Sequence, residues 1–188
     1  MPTTRAEQKS ETRRRLLEEA AACFATHGFE GTTTRQIAKQ CGVSIGTVFA
    51  HFPNKQTLLQ AVLYEGIERA LSRARLRLSA NVPVDEAMAT FAGSLYRFYL
   101  QQRTLSKELL KHNLFNTDAF AEQLMLFREE LISFMHNQTP GGDRNTELVA
   151  DALMSHYFFI LLTVLNDPNM SAHQAVQRLR RMNALVTA

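Results

Sequence analysis

Thr32–Lys55, TTTRQIAKQCGVSIGTVFAHFPNK, carries the pattern that decides the fold. Ile37, Ala38 and Cys41 recur at helical spacing, and Gly42 follows where a left-handed residue is needed to end the segment. Ser44 then stands where its hydroxyl can accept from backbone N–H groups two or three residues on, which opens a second helix. Short helix, tight turn, second helix is the sequence form of a helix-turn-helix. On a wheel of about 100° per residue, Ile45, Val48, Phe49 and Phe52 fall on one side of the second helix, Phe49 at the border. Gly46, Thr47, Ala50 and His51 fall on the other. A face so small and lightly charged can press closely against another surface, and the inference is a recognition helix for the major groove of DNA. Two ordinary core helices would share much of this pattern.

The order of residues around the turn says more. GFEGTTTRQIAKQCGVSIGTVFAHFPNKQTLL, beginning at Gly28, closely resembles the N-terminal signature of the TetR (tetracycline-repressor) family of bacterial transcriptional regulators, and the likeness runs from about Thr12 to Leu63. The resemblance implies an all-α fold: an N-terminal three-helix helix-turn-helix DNA-binding domain followed by a C-terminal helical ligand-binding and dimerisation domain. It implies that Thr33, Thr34, Arg35, Ser44, Gly46, Thr47, Phe49, His51 and Lys55 form the DNA-binding set, with Lys55 on a phosphate. The family often has tyrosines where this chain has Phe49 and Ala50. Loss of those hydroxyls removes phosphate bonds and leaves Phe49 to offer apolar contact to a thymine methyl or sugar. Most such contacts position the protein, and Thr47 and Phe49 are the candidates for base contact.

Composition agrees with this reading. Of 188 residues, 45% are hydrophobic, enough for a core, and phenylalanine is frequent while tryptophan is absent. The net charge of +3 is unevenly spread: residues 1–80 carry 12 basic and 7 acidic groups, the remainder 9 and 11. The basic end is the end with the helix-turn-helix, as phosphate binding requires. Cys23 and Cys41 lack paired spacing and read first as small buried apolar residues, redox sensing being the weaker reading. The first residues lack an apolar signal core, so the cytoplasm is the expected compartment. The six histidines form no HExxH and no ligand pair, and no G-x-S-x-G or phosphate-cradling loop occurs, which argues against an enzyme, a metal site or a cofactor.

Along the chain, Met1 to about Ser10 reads as a polar tail from which Arg5 and Lys9 could trail along a phosphate backbone. A helix follows from Glu11, with Leu16, Ala20 and Phe24 at spacings of four. Arg13, Arg14 and Arg15 crowd its start, where they oppose the macrodipole and so point to an anionic partner. Gly28 ends it. After Pro53-Asn54 a long connecting helix is expected over about 55–80, its arginines 69, 73, 75 and 77 read mainly as a solvated face. The division is therefore 1–54 for the head and 55–188 for the regulatory and dimerisation body. Further helices are expected at roughly 85–102, 105–115, 118–138, 145–166 and 171–186, with Pro140-Gly141-Gly142 as a loop.

The stretch Thr146–Asn166 leaves almost no polar side. Its continuous apolar run falls short of the ~20 residues a membrane span needs, so no membrane partner is expected and burial on every side is. Burying it in so small a domain calls for a second subunit, and the expected homodimer interface comprises Phe158, Leu161, Leu162, Leu165, Val176, Leu179 and Met182 on the last two helices. The family resemblance implies double-stranded operator DNA as partner, half-sites about 34 Å or a multiple apart, and a small hydrophobic or amphipathic effector. Tyr96, His112, Phe115, Met125 and His156 are the candidate effector-pocket residues, each also readable as plain core. Two other readings stay open: a DNA-binding regulator with no inducer, and a helical interaction adaptor that has lost DNA binding.

Overall fold

A computed structural model of the chain describes residues 4–79, 82–113, 119–138 and 145–187. Among these residues there is no strand, and the helices are α1 Arg5–Gly31, α2 Thr34–Cys41, α3 Ile45–His51, α4 Lys55–Arg75, α5 Val84–Gln101, α6 Arg103–Asn113, α7 Ala119–Gln138, α8 Thr146–Asn166 and α9 Ala172–Asn183. The expected loop at Pro140-Gly141-Gly142 and the pocket candidate Phe115 lie outside the described residues. Contacts group the chain into two compact units: Met1–Gly66 with Thr104–His112, and Ile67–Arg103 with Asn113–Ala188. That division passes through α4 near its middle.

In the first unit, α1 starts earlier than the apolar pattern suggests. The Thr4 hydroxyl accepts from the Glu7 N–H at 3.2 Å and the Glu7 carboxylate accepts from the Thr4 N–H at 2.6 Å, a capping box that anchors the helix at Arg5. Arg13, Arg14 and Arg15 consequently lie more than two turns inside α1, and the macrodipole argument for an anionic partner does not apply to them. Each has a local partner instead. The Arg13 guanidinium lies 4.5 Å over the Phe52 ring, Arg14 pairs with Glu11 and Glu18, and Arg15 donates to the Cys41 carbonyl at 2.6 Å.

Gly28, at φ 69° and ψ 177°, breaks α1 as the sequence suggests, and Phe29 turns back to pack on Phe24 with ring centroids 5.8 Å apart. Gly42 ends α2 at φ 66° and ψ 32°, the left-handed helical region. An added Cβ would meet nothing within 4 Å at either glycine, so only backbone strain opposes substitution. The two strains differ, because asparagine enters the left-handed helical well while the conformation of Gly28 is essentially confined to glycine. Gly42→Asn is expected to lower the Tm by no more than about 3 °C and Gly28→Asn by about 3–9 °C, as read by thermal unfolding.

Leu16, Leu17, Ala20 and Phe24 of α1, Ile37 and Ala38 of α2, Val48 and Phe52 at α3, and Leu58, Leu59 and Leu63 of α4 are all buried. Cys23 and Cys41 join them, as expected of small apolar residues, and burial pushes both thiols above their ordinary range.

In the second unit, α4 stops at Arg75 instead of near residue 80. The N–H groups of Arg77 and Leu78 bond the carbonyls of Ala74 and Arg75, three residues back, which tightens and closes the last turn. The core that follows is aromatic. Tyr96 stacks on Tyr157 at 5.4 Å and donates its hydroxyl to the Tyr157 carbonyl, while Phe127 meets both Phe91 and Tyr157 edge-on. Gly93 lets α9 come close to α5, for an added Cβ would stand 3.2 Å from Val176 Cγ2.

α8 holds 21 residues with a mean hydropathy of 1.9, so by length and composition it could cross a membrane, contrary to the expectation that its run is too short. One side of it, including Leu153, Tyr157, Ile160, Leu161, Val164 and Leu165, is buried inside the unit. The helix is not buried all round, as its composition suggests it should be: Leu148 is 67% exposed, Phe159 50% and Leu162 37%. Arg103 caps its far end, donating to the carbonyls of Val164, Leu165 and Asp167, where the helix dipole favours a cation.

Candidate nucleic-acid interface

The interface begins with two caps. Thr33 precedes α2 and its hydroxyl accepts from the Gln36 N–H at 3.2 Å, while the Gln36 side chain accepts from the Thr33 N–H at 2.8 Å. Thr34 and Arg35 then occupy the first turn, where backbone N–H groups have no intrahelical acceptor and anions are favoured. The second cap is Ser44, whose Oγ accepts from the Thr47 N–H at 3.0 Å and shares a hydrogen bond of 2.8 Å with the Thr47 hydroxyl. Ser44 and Thr47 are thus tied to one another, and the start of α3 is held as a unit.

Below α3, Val48 and Phe52 are sealed into the first unit's core. Above it, Gly46 and Ala50 are exposed, Thr47 and His51 are half-buried, and Phe49 is 45% exposed. Neither Thr47 nor His51 is sealed inside. Ile45, assigned to the core side by the helical wheel, is 39% exposed and joins the outer surface. It is the first residue of α3, where the side chain leaves the helix before the packed face begins, and a wheel carries no such end effect.

Arg35 is exposed and Thr33 is exposed beside it. Lys55, given a phosphate contact by the resemblance, is turned onto its own unit. Its Nζ donates to the carbonyls of Phe29 at 2.7 Å and Thr32 at 3.1 Å and lies 4.2 Å from the Phe29 ring centroid. Engaging a phosphate would require it to give up those bonds. His51 is held below the ordinary imidazole range, chiefly by burial and then by the nearby charges of Lys9 and Arg13. These two cations therefore stand beside the recognition helix, Lys9 as the basic tail suggested and Arg13 by a contact the sequence pattern did not reveal.

The remaining expected sites are scattered. Tyr96 is fully buried and bonded, so it is core and lines no pocket. His156 faces Asn183 across 3.0 Å, and Met125 is exposed on α7. His112 belongs to the first unit, packed 6.1 Å from the Phe29 ring. Of the expected dimer residues, Leu161, Leu165 and Leu179 fill the chain's own core and cannot present side chains to a second copy. Leu162 is exposed, and Phe158, Val176 and Met182 are half-buried.

Residues 16–62 match the family model for bacterial regulatory proteins of the tetR family. The chain is 28% identical over 178 residues to the HTH-type transcriptional regulator UidR of Escherichia coli (strain K12), covering 91% of this chain and 90% of UidR. The HTH-type transcriptional repressor AcnR of Corynebacterium diphtheriae is 39% identical over 69 residues, 37% of this chain and 36% of AcnR. Among solved structures, Salmonella enterica GusR superposes with a TM-score of 0.60 at 28% identity, over 94% of this chain and 95% of GusR. A TetR transcriptional regulator from Rhodococcus sp. RHA1 has the same fold, with a TM-score of 0.67 at 20% identity over 94% and 96% of the two chains. With the helix-turn-helix matching the family model and nearly the whole length aligning with a regulator of this kind, the chain belongs to the TetR family of bacterial regulatory proteins.

Proposed function

We propose that this protein is a DNA-binding transcriptional repressor of the cytoplasm. In this reading it meets an inverted-repeat operator as a homodimer and is released by a small hydrophobic or amphipathic effector. The observation that carries the reading is the outer face of α3: capped, fixed on a buried base, nearly uncharged, and flanked by Lys9 and Arg13. The head of residues 1–54 supplies the contacts, Thr33, Thr34 and Arg35 to the backbone and Thr47 and Phe49 to base edges, while residues 55–188 pair the two copies. Selection of bound fragments from random duplex DNA tests it. An enriched inverted repeat is the expected outcome, and a protein that retains no duplex at low salt would be an adaptor instead. A screen for small molecules that both raise the Tm and release the selected duplex tests the effector.

The second subunit has a natural seam. Leu148, Ala152, Ser155, Phe159 and Leu162 recur along α8 at alternating spacings of four and three, the heptad pattern of helices that pair side by side. Leu148, Phe159 and Leu162 on that stripe are exposed. The seam therefore lies on the outward face of α8, and it keeps Leu162 of the residues first assigned to it.

His51 gives the reading a pH signature. In the free head its proton affinity is depressed, so the ring is neutral at pH 7 and resists protonation as the pH falls below the usual 6.5. The sign for stability follows: the contribution is present above about pH 6.5 and is lost as pH falls through the lowered value. A phosphate beside the ring reverses the preference, so the complex takes up a proton that the free protein does not. Duplex affinity is expected to rise several-fold from pH 7.5 to 5.5 at fixed salt, and His51→Gln to flatten that rise, measured by fluorescence anisotropy.

A further inference from the structure

On the second unit, Ala70, Arg73 and Arg77 lie at spacings of three and four on the side of α4 and its closing turn. Ser94, Arg97 and Gln101 do the same on α5. Together they border one cleft of about 120 Å³, with small Ala70 and Ser94, both buried, leaving the space between taller neighbours. Three guanidinium groups edge this space. Among the described residues no carboxylate lies within ion-pair distance of Arg73, Arg77 or Arg97, and the Arg97 guanidinium reaches only the Ser94 hydroxyl, at 3.4 Å.

The acids of the same unit are spoken for. Arg75, two residues from Arg73 but on another face of α4, takes Glu130 through two bonds of 2.8 Å and has Glu68 nearby. Arg180 holds Glu86, and Arg128 holds Asp151 with Glu147. Arginines elsewhere in the unit thus have acidic or carbonyl acceptors, whereas three like charges here converge on one space without any. Convergence of unpaired cations costs electrostatic energy that a single compact anion would reverse, and the planar fork of arginine fits carboxylate and phosphate oxygens two at a time.

We propose that this cleft is a binding site for a small oxyanion, a phosphate or carboxylate group, either free or carried by a small metabolite. At ~30 Å³ per water it holds about four waters, room for one such group and far below the ~300 Å³ of a site that swallows a drug-sized molecule. A DNA backbone is the poorer fit, because duplex phosphates are strung out along an axis and are met by cations in a row, whereas these cations surround one point. Nothing in the proposal depends on how the head reads DNA.

The test is thermal unfolding of the full chain without DNA, titrated with inorganic phosphate and, separately, with succinate, at constant ionic strength kept with chloride. Saturable stabilisation of about 3 °C or more by at least one of the two anions is expected in the unmodified protein. It should vanish in Arg77→Gln/Arg97→Gln and persist in Arg181→Gln, which removes an exposed arginine of α9 outside the cleft. The replaced residues are exposed, and the Tm of each variant in chloride alone reports that it still folds. A response that follows ionic strength only, or one of equal size in the double variant, overturns the proposal. So does a double variant with a shallower salt dependence of duplex binding when neither anion stabilises the unmodified protein, since that outcome makes the cleft a DNA contact.

Discussion

Gly46→Glu is expected to weaken duplex binding by about 100-fold or more while leaving the protein at least as stable as before. Gly46 is the second residue of α3, and a Cβ added there would come no closer than 3.7 Å to its nearest neighbour, Ser44 Oγ. The replacement therefore fits. It also removes the backbone freedom of a helical glycine and puts a carboxylate in the first turn, where the helix dipole welcomes it, so the Tm should hold or rise by a degree or two. Against DNA the same carboxylate enters a face with no charged side chain of its own and meets the negative potential of the groove. Opposite movements of Tm and affinity separate this from damage to the fold. Equal affinity of variant and parent, measured by anisotropy at low salt, would remove α3 from the interface.

Two adjacent leucines give the second large effect. Leu162→Asp places a charge on the exposed stripe of α8, and Leu161→Asp places the same charge in the core, where the native side chain is 1% exposed. The first is expected to yield a folded monomer with duplex affinity lower by about 10²–10⁴, because the second half-site contact is no longer tethered to the first. The second is expected to abolish cooperative unfolding, since an unpaired buried charge costs more than about 4 kcal/mol and a domain of this kind has little more than twice that to lose. Sedimentation equilibrium and thermal unfolding distinguish the two. A Leu162→Asp protein that remains dimeric would move the seam to another face.

The head was readable because its decisive interactions are local. Gly42 and Ser44 each act within a few residues of themselves, so their chemistry is written in adjacent letters, and the structure has the turn and the cap where those letters put them. The start of α1 was equally local and still escaped notice: Thr4-Arg5-Ala6-Glu7 spells a capping box, but it precedes the apolar repeat by which the helix was found. The body resisted reading for a different reason. Periodicity tells which side of α9 is apolar and not what covers it, and the answer, α5 of the same chain, depends on the missing side chain of Gly93. Leu179 thereby went to the core instead of to a partner. For α8 the error ran the other way, because a helix apolar all round was expected to be hidden all round. The arginine cleft needed two helices in register before Arg77 and Arg97 could be seen together.

α3 is only seven residues long. At ~1.5 Å per residue it reaches along about 10 Å, which is three base pairs at ~3.4 Å each. A pair of such helices inspects roughly six letters, and with four choices per letter a match turns up by chance about once in 4,000 positions. A bacterial chromosome is longer than that by a factor of about 10³, so the vocabulary of α3 is too small to single out one address unaided. The missing information has to come from the gap between the two readings and from how readily the intervening DNA bends. Operator variants that keep both contacted triplets and change only the untouched bases between them should consequently differ in occupancy.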